Sequence, residues 1–220
     1  MSIPSLTGKA QTVLGPVDGD ELGITLAHEH IFMDGSALYS EPSASSDKGR
    51  ASQSVDWDVL SWLRYHPFEN MDNLQLFDEE LMTREVLLFK AAGGRTIVDQ
   101  GNNGLGRDAN ALARASRITG LNVIMGSGYY TANSLSPTVF SKSVDEMTDE
   151  IVKDIAIGVG DSAIKAGLIG EIGTSWPIHD FEKKSLLASV KAQRATGAPI
   201  NVHPGRHPLG PVTAARILED

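Results

Sequence analysis

Residues 26–32 read Leu-Ala-His-Glu-His-Ile-Phe and place two of the chain's six histidines, His28 and His30, one residue apart in an apolar run. In an extended strand, residues i and i+2 share a face and lie about 6.6 Å apart. Two imidazoles on a face that a parallel sheet wants apolar are costly unless something satisfies them. A divalent cation would satisfy both. The plain alternative is an exposed strand end, with both rings bonded to backbone or water. Two more residues weigh against it. Glu171 closes the run Gly-Leu-Ile-Gly-Glu (167–171), and His203 closes Pro-Ile-Asn-Val-His (199–203). A carboxylate in such a run is tolerated when it is ion-paired or metal-bound. The plain alternatives are an ion pair for Glu171 and a loop hydrogen bond for His203. All three alternatives would have to hold together, at C-terminal strand ends where α/β sites form. The chain has no Cys, so a metal must use imidazole and carboxylate. That donor set suits Zn²⁺ first, and also Mn²⁺, Co²⁺ or Fe²⁺. Two carboxylate oxygens can bridge two ions about 3.5–4 Å apart, with His28 and His30 on one ion and His203 on the other.

The elements that must carry these residues alternate strand with helix. Short aliphatic runs bounded by Gly or Pro predict strands at 24–31, 95–100, 122–128, 167–172 and 199–203. Helical patterns fill 78–92, which ends at Gly93-Gly94, then 109–120 after Asp108, 144–157, 180–196 and the stretch from about 211. Ser143 and Glu146 have capping-box spacing. Alternation of this kind predicts a parallel sheet covered on both faces, either an open doubly wound sheet or a (β/α)8 TIM barrel. No G-x-G-x-x-G follows the first strand, which weakens the dinucleotide-binding fold. Five βα units are visible, where a barrel needs eight. Residues 35–77 break the rhythm and read as a long first βα loop with its own short helix.

Hydrophobic residues make up 41% of the 220 and charged residues 21%, an ordinary globular balance that suits one domain. The net charge of −9 argues against a nucleic-acid partner. No apolar run is long enough to span a membrane. Residues 1–10 lack the basic and apolar regions of a signal peptide, so a cytoplasmic address is expected.

With these residues in hand, four stretches carry a resemblance: 12–32 (Thr-Val-Leu-Gly through His-Ile-Phe), 93–101 (Gly-Gly-Arg-Thr-Ile-Val-Asp-Gln-Gly), 165–178 around Gly-Glu-Ile-Gly, and 201–206 (Asn-Val-His-Pro-Gly-Arg). They resemble the phosphotriesterase-related branch of the amidohydrolase superfamily, and the match runs through nearly the whole chain. The resemblance implies a (β/α)8 barrel, present here as its N-terminal five units. It implies a centre of two divalent ions in which His28 and His30 bind one, Glu171 bridges and His203 binds the second. It also implies a fourth metal His after strand six and an Asp after strand eight that binds metal and accepts a proton. Neither lies within these residues, so the catalytic group itself is unassigned. Organophosphate-hydrolysing relatives bridge the metals with a carboxylated Lys. Here Lys165 lies six residues before Glu171, too far back along the strand to serve, so the bridge is expected to be Glu171 and triesterase activity is in doubt.

The implied activity is hydrolysis of an amide, ester or phosphoester bond in a small molecule by a metal-activated water; N-acyl taurine hydrolysis is one activity of the branch. The competing reading is a protein or inactive fragment that binds metal or ligand without turnover; a third is an α/β domain with structural histidines. Tyr129 is a candidate for orienting substrate, with simple packing as the alternative. Arg206 is a candidate for meeting an anionic group, with a solvated loop charge as the alternative. Asp99 reads as a structural acid. His207, four residues after His203 among prolines, is a poor fourth ligand. His66 and His179 have no assigned role, and Trp57 and Trp62 could form a lid or local core. A homodimer is compatible with this reading.

Overall fold

The computed structural model describes residues 5–219. Met1–Pro4, part of the stretch read above for a signal peptide, lie outside it, as does Asp220. The chain opens with a hairpin, β1 (Lys9–Thr12) and β2 (Gly15–Asp18). Then come β3 (Thr25–Glu29), the short β4 (Met33–Asp34), the single-turn helix α1 (Leu60–Leu63), β5 (Gln75–Leu76), α2 (Glu79–Ala91) and β6 (Thr96–Asp99). Next are α3 (Ala109–Thr119), β7 (Asn122–Ser127), α4 (Val144–Ala156), β8 (Leu168–Gly173), α5 (Asp180–Thr196), β9 (Ile200–His203) and α6 (Gly210–Glu219).

Five strands form one parallel sheet in the order β3-β6-β7-β8-β9. Consecutive strands are neighbours and a helix follows each of the last four, so this is the run of βα units that builds a (β/α)8 barrel. The long 35–77 segment is held by the antiparallel β4–β5 pair, and Val59, Trp62 and Leu63 of its short helix make a small separate cluster. The hairpin was not anticipated from the sequence. It packs across the start of β7, where Val13 N–H donates to the Val123 carbonyl at 2.8 Å.

The helices begin where the side chains dictate. Asp78 accepts from Leu81 N–H, and Asp108 from Ala111 N–H. The expected capping box of Ser143 and Glu146 is formed at the start of α4. Gly120 and Gly197 end α3 and α5 at φ +66° and +75°, a conformation open to glycine. The core lies between the sheet and α3–α5, where Ile97, Val123, Met125, Ile169 and Ile172 meet Leu112, Met147, Ile151, Phe181 and Leu186. At the edge of the sheet, β3 pairs on one side only and is mostly exposed along its length. No helix among the described residues is long and apolar enough to cross a membrane.

Two irregularities in the ladder decide where the chemistry sits. Between β3 and β6, three residue steps (Leu26 to Glu29) face two (Ile97 to Asp99). Between β8 and β9, three steps (Ile169 to Ile172) again face two (Ile200 to Val202). Such bulges re-aim side chains, and the residues inside them include His28 and Glu171. Gly170, also inside the second, sits at φ +140°, and a Cβ there would lie 2.5 Å from the Asn201 carbonyl oxygen. Gly126 in β7 has a related duty. A Cβ on it would lie 2.0 Å from the Gly170 oxygen and 3.0 Å from the Gly101 oxygen. Its bare backbone lets β8 meet the segment after β6, where Glu171 N–H donates to the Gln100 carbonyl at 3.2 Å. Gly126→Ala is therefore expected to cost about 1–3 kcal/mol in chemical denaturation, while Gly49→Ala, where no atom lies within 4 Å, leaves stability within about 0.5 kcal/mol. Equal effects of the two would contradict this reading of Gly126.

Candidate metal centre

The ends of β3, β8 and β9 bring the four expected metal residues around one carboxylate. Glu171 Oε2 lies 3.3 Å from His28 Nε2 and 3.1 Å from His203 Nδ1, and Oε1 lies 3.3 Å from His30 Nε2. The Glu171 side chain is 3% exposed. Burial alone would push its pKa up. Hydrogen bonds from His203 and His30, with the charge on those rings, reverse that and hold it at about 2. Among the described residues no Lys or Arg pairs with this buried carboxylate; its close polar partners are imidazoles.

The surroundings fix each group. Asn102 Nδ2 donates to the Glu171 carbonyl. Asp99 uses its carboxylate on backbone: Ile31 N–H donates at 2.7 Å and Gly101 N–H at 2.9 Å. It thus anchors the residue next to His30, as a structural acid does, and burial raises its pKa to about 6. His30 Nδ1 is buried without a hydrogen-bond partner, which leaves Nε2 as the working nitrogen of that ring. The Tyr130 hydroxyl lies 3.3 Å from His203 Nε2, so the other nitrogen, Nδ1, faces Glu171. Donor atoms from His28, His30 and Glu171 lie within 4.8 Å of one another, a grouping that could hold a metal ion. The donor set fits: imidazole nitrogens from separate segments converge on one carboxylate that pairs with no Lys or Arg among the described residues.

Beside His203 opens a pocket of about 690 Å³ lined by Phe68, Tyr130, Ser175, Trp176, His203 and Arg206, among others. The Arg206 guanidinium stacks over the Phe68 ring at 4.7 Å. Tyr129 does not reach this pocket. It is buried towards the helices, edge-on to Phe181, with its hydroxyl bonded to Glu150 on α4. Just past the end of β7 the two rings part: Tyr129 faces the helical layer, and its neighbour Tyr130 faces the site. His207 stacks flat on Trp176 at 4.3 Å, which keeps it in the loop and apart from the carboxylate. His66 stacks on Trp62, and Trp57 is 90% exposed.

Sequence reasoning missed Glu182, which is fully buried on the first turn of α5. Its Oε1 accepts from Ala132 N–H at 2.9 Å, and its Oε2 accepts from Ser175 N–H at 2.8 Å, Ser175 Oγ–H at 2.8 Å and His179 N–H at 2.9 Å. Burying a carboxylate is costly unless its oxygens are hydrogen-bonded, and these four donors satisfy both of them. The signal was available as the capping-box spacing of His179 and Glu182; His179 itself accepts from Phe181 N–H at 3.1 Å.

The profile of the Phosphotriesterase family matches residues 8–220. The chain belongs to that family. A phosphotriesterase-related protein from Nematostella vectensis is 42% identical over 97% of this chain and 62% of its own length. An N-acetyltaurine hydrolase from Xenopus tropicalis is 40% identical over 98% of this chain and 62% of its own length. The solved structure of a Resiniferatoxin-binding protein from Rhodobacter sphaeroides superposes with a TM-score of 0.93 at 39% identity, over 97% of this chain and 60% of that one. The chain thus spans a little over three fifths of the length of these family members, and its five strands correspond to part of their barrel.

The two tyrosines give a direct check of the geometry. Tyr129→Phe should lower stability by about 0.5–1.5 kcal/mol and leave Zn²⁺ affinity unchanged, since half-exposed Glu150 loses one donor and keeps Lys142. Tyr130→Phe should cost less than about 1 kcal/mol and instead weaken what His203 binds. Denaturation curves read beside Zn²⁺ affinity decide this; the opposite pattern would reverse the assignment.

Proposed function

We propose that the whole protein is a metal-dependent hydrolase that cleaves an amide, ester or phosphoester bond of a small molecule. The observation that carries it is the buried Glu171 carboxylate with three imidazoles around it and, among the described residues, no Lys or Arg paired with it. His28 and His30 would hold one ion and His203 would help hold a second, with the Glu171 carboxylate shared between them. Zn²⁺ is the first choice for this donor set, with Mn²⁺, Co²⁺ or Fe²⁺ compatible. When bound, divalent ions at such a site acidify water and polarise the oxygen of the scissile bond. The chain's own groups do the rest. Tyr130 fixes the His203 ring, Asp99 fixes the strand end carrying His30, and Asn102 holds the Glu171 backbone. Arg206, kept flat by Phe68, stands where an anionic end of the substrate can meet it. Relatives named N-acetyltaurine hydrolase support a small anionic amide as the first substrate to try.

Elemental analysis of the whole protein tests the reading. About two ions per chain are expected. His28→Ala and Glu171→Ala should each weaken metal binding by more than roughly 100-fold, beyond the loss from outer partners of a ligand, and abolish turnover of amide and ester substrates. Absence of stoichiometric metal would overturn the proposal. Stoichiometric metal without turnover of any amide, ester or phosphoester would favour a binding protein instead.

A further inference from the structure

The pocket beside His203 is built from loops that have no strand pairing of their own. Tyr130 to Ser134 follow β7, and Thr174 to Ile178 follow β8. One group joins them. The Glu182 carboxylate takes the Ala132 N–H on one oxygen and the Ser175 and His179 N–H groups on the other. It ties both loops to the first turn of α5, a helix of 17 residues whose N-terminal end favours a negative charge. The loops it holds carry the residues that fix His203: the Tyr130 hydroxyl at Nε2, and Thr174, whose N–H donates to the His203 carbonyl at 2.9 Å.

We propose that Glu182 is a positioning residue: its buried carboxylate, shared between two loops, holds Tyr130 on His203 and sets the shape of the pocket that the substrate enters. The inference rests on the hydrolase reading above and assigns a residue to it. Both oxygens must accept. A glutamine offers one acceptor and one donor. With its oxygen turned to the three donors of Ser175 and His179, its NH₂ would oppose the Ala132 N–H. Glu182→Gln should therefore release the loop after Tyr130 and leave the Ser175–His179 side in place. Glu182→Ala should release both.

The test compares the whole metal-loaded protein, Glu182→Gln, Glu182→Ala and Leu112→Ala, the last a buried residue of α3 outside the pocket lining that serves as a control for general destabilisation. Hydrogen exchange is read at Ala132–Leu135 and at Ser175–His179, and kcat and KM are measured with an amide substrate. In Glu182→Gln, exchange should rise at least tenfold at Ala132–Leu135 and stay slow at Ser175–His179. Its kcat/KM should fall roughly tenfold to hundredfold, the effect of a misplacement of about 1 Å, with metal content unchanged. Leu112→Ala should show neither change. Unchanged exchange at Ala132, or a kinetic loss no larger than that of Leu112→Ala, would overturn the proposal. An inactive parent protein would sink the hydrolase reading, and the exchange pattern alone would then uphold or overturn the loop-holding role.

Discussion

A buried negative charge organises this structure. Glu171 is almost inaccessible, its pKa is held low by the rings of His30, just after β3, and His203 in β9, and the His28 ring of β3 stands beside it. Those segments are far apart in the chain and come together because a parallel sheet lines up its C-terminal strand ends. A carboxylate in that place is expensive by itself and becomes favourable once cations or imidazolium groups surround it. The same arrangement that would destabilise an ordinary core could hold a metal ion.

The fold serves this charge through small departures from regularity. Bulges in β3 and β8 turn His28 and Glu171 towards the common centre. Gly126 leaves room for β8 to reach the segment after β6, and Asn102 and Gln100 then hold the Glu171 backbone. A second buried carboxylate, Glu182, repeats the principle with backbone N–H groups in place of imidazoles, and it steadies loops where Glu171 gathers strands.

Much of this was legible in the sequence. Strand runs are apolar and end in Gly or Pro, and helix starts carry their own caps, so the five βα units and the capping box at Ser143 could be read directly. His28, His30, Glu171 and His203 stood out because polar residues at apolar strand ends need a reason. The remainder depended on contacts between distant segments. Adjacent tyrosines look alike in sequence, and only the packed chain after β7 shows that Tyr129 turns to α4 while Tyr130 turns to His203. Glu182 read as one more charge on an amphipathic helix; its burial follows from two loops folding over it. The hairpin at 9–18 was hidden because its strands are short and it packs on β7 rather than joining the main sheet.

The most direct test of the central claim is a crystal structure of the whole protein loaded with Zn²⁺, with the ions located by anomalous scattering. The expected result is one ion held by His28, His30 and Glu171 and a second held by Glu171 and His203, at metal–ligand distances of about 2.0–2.2 Å. Ions bound elsewhere, with Glu171 still hydrogen-bonded to the three rings, would contradict it.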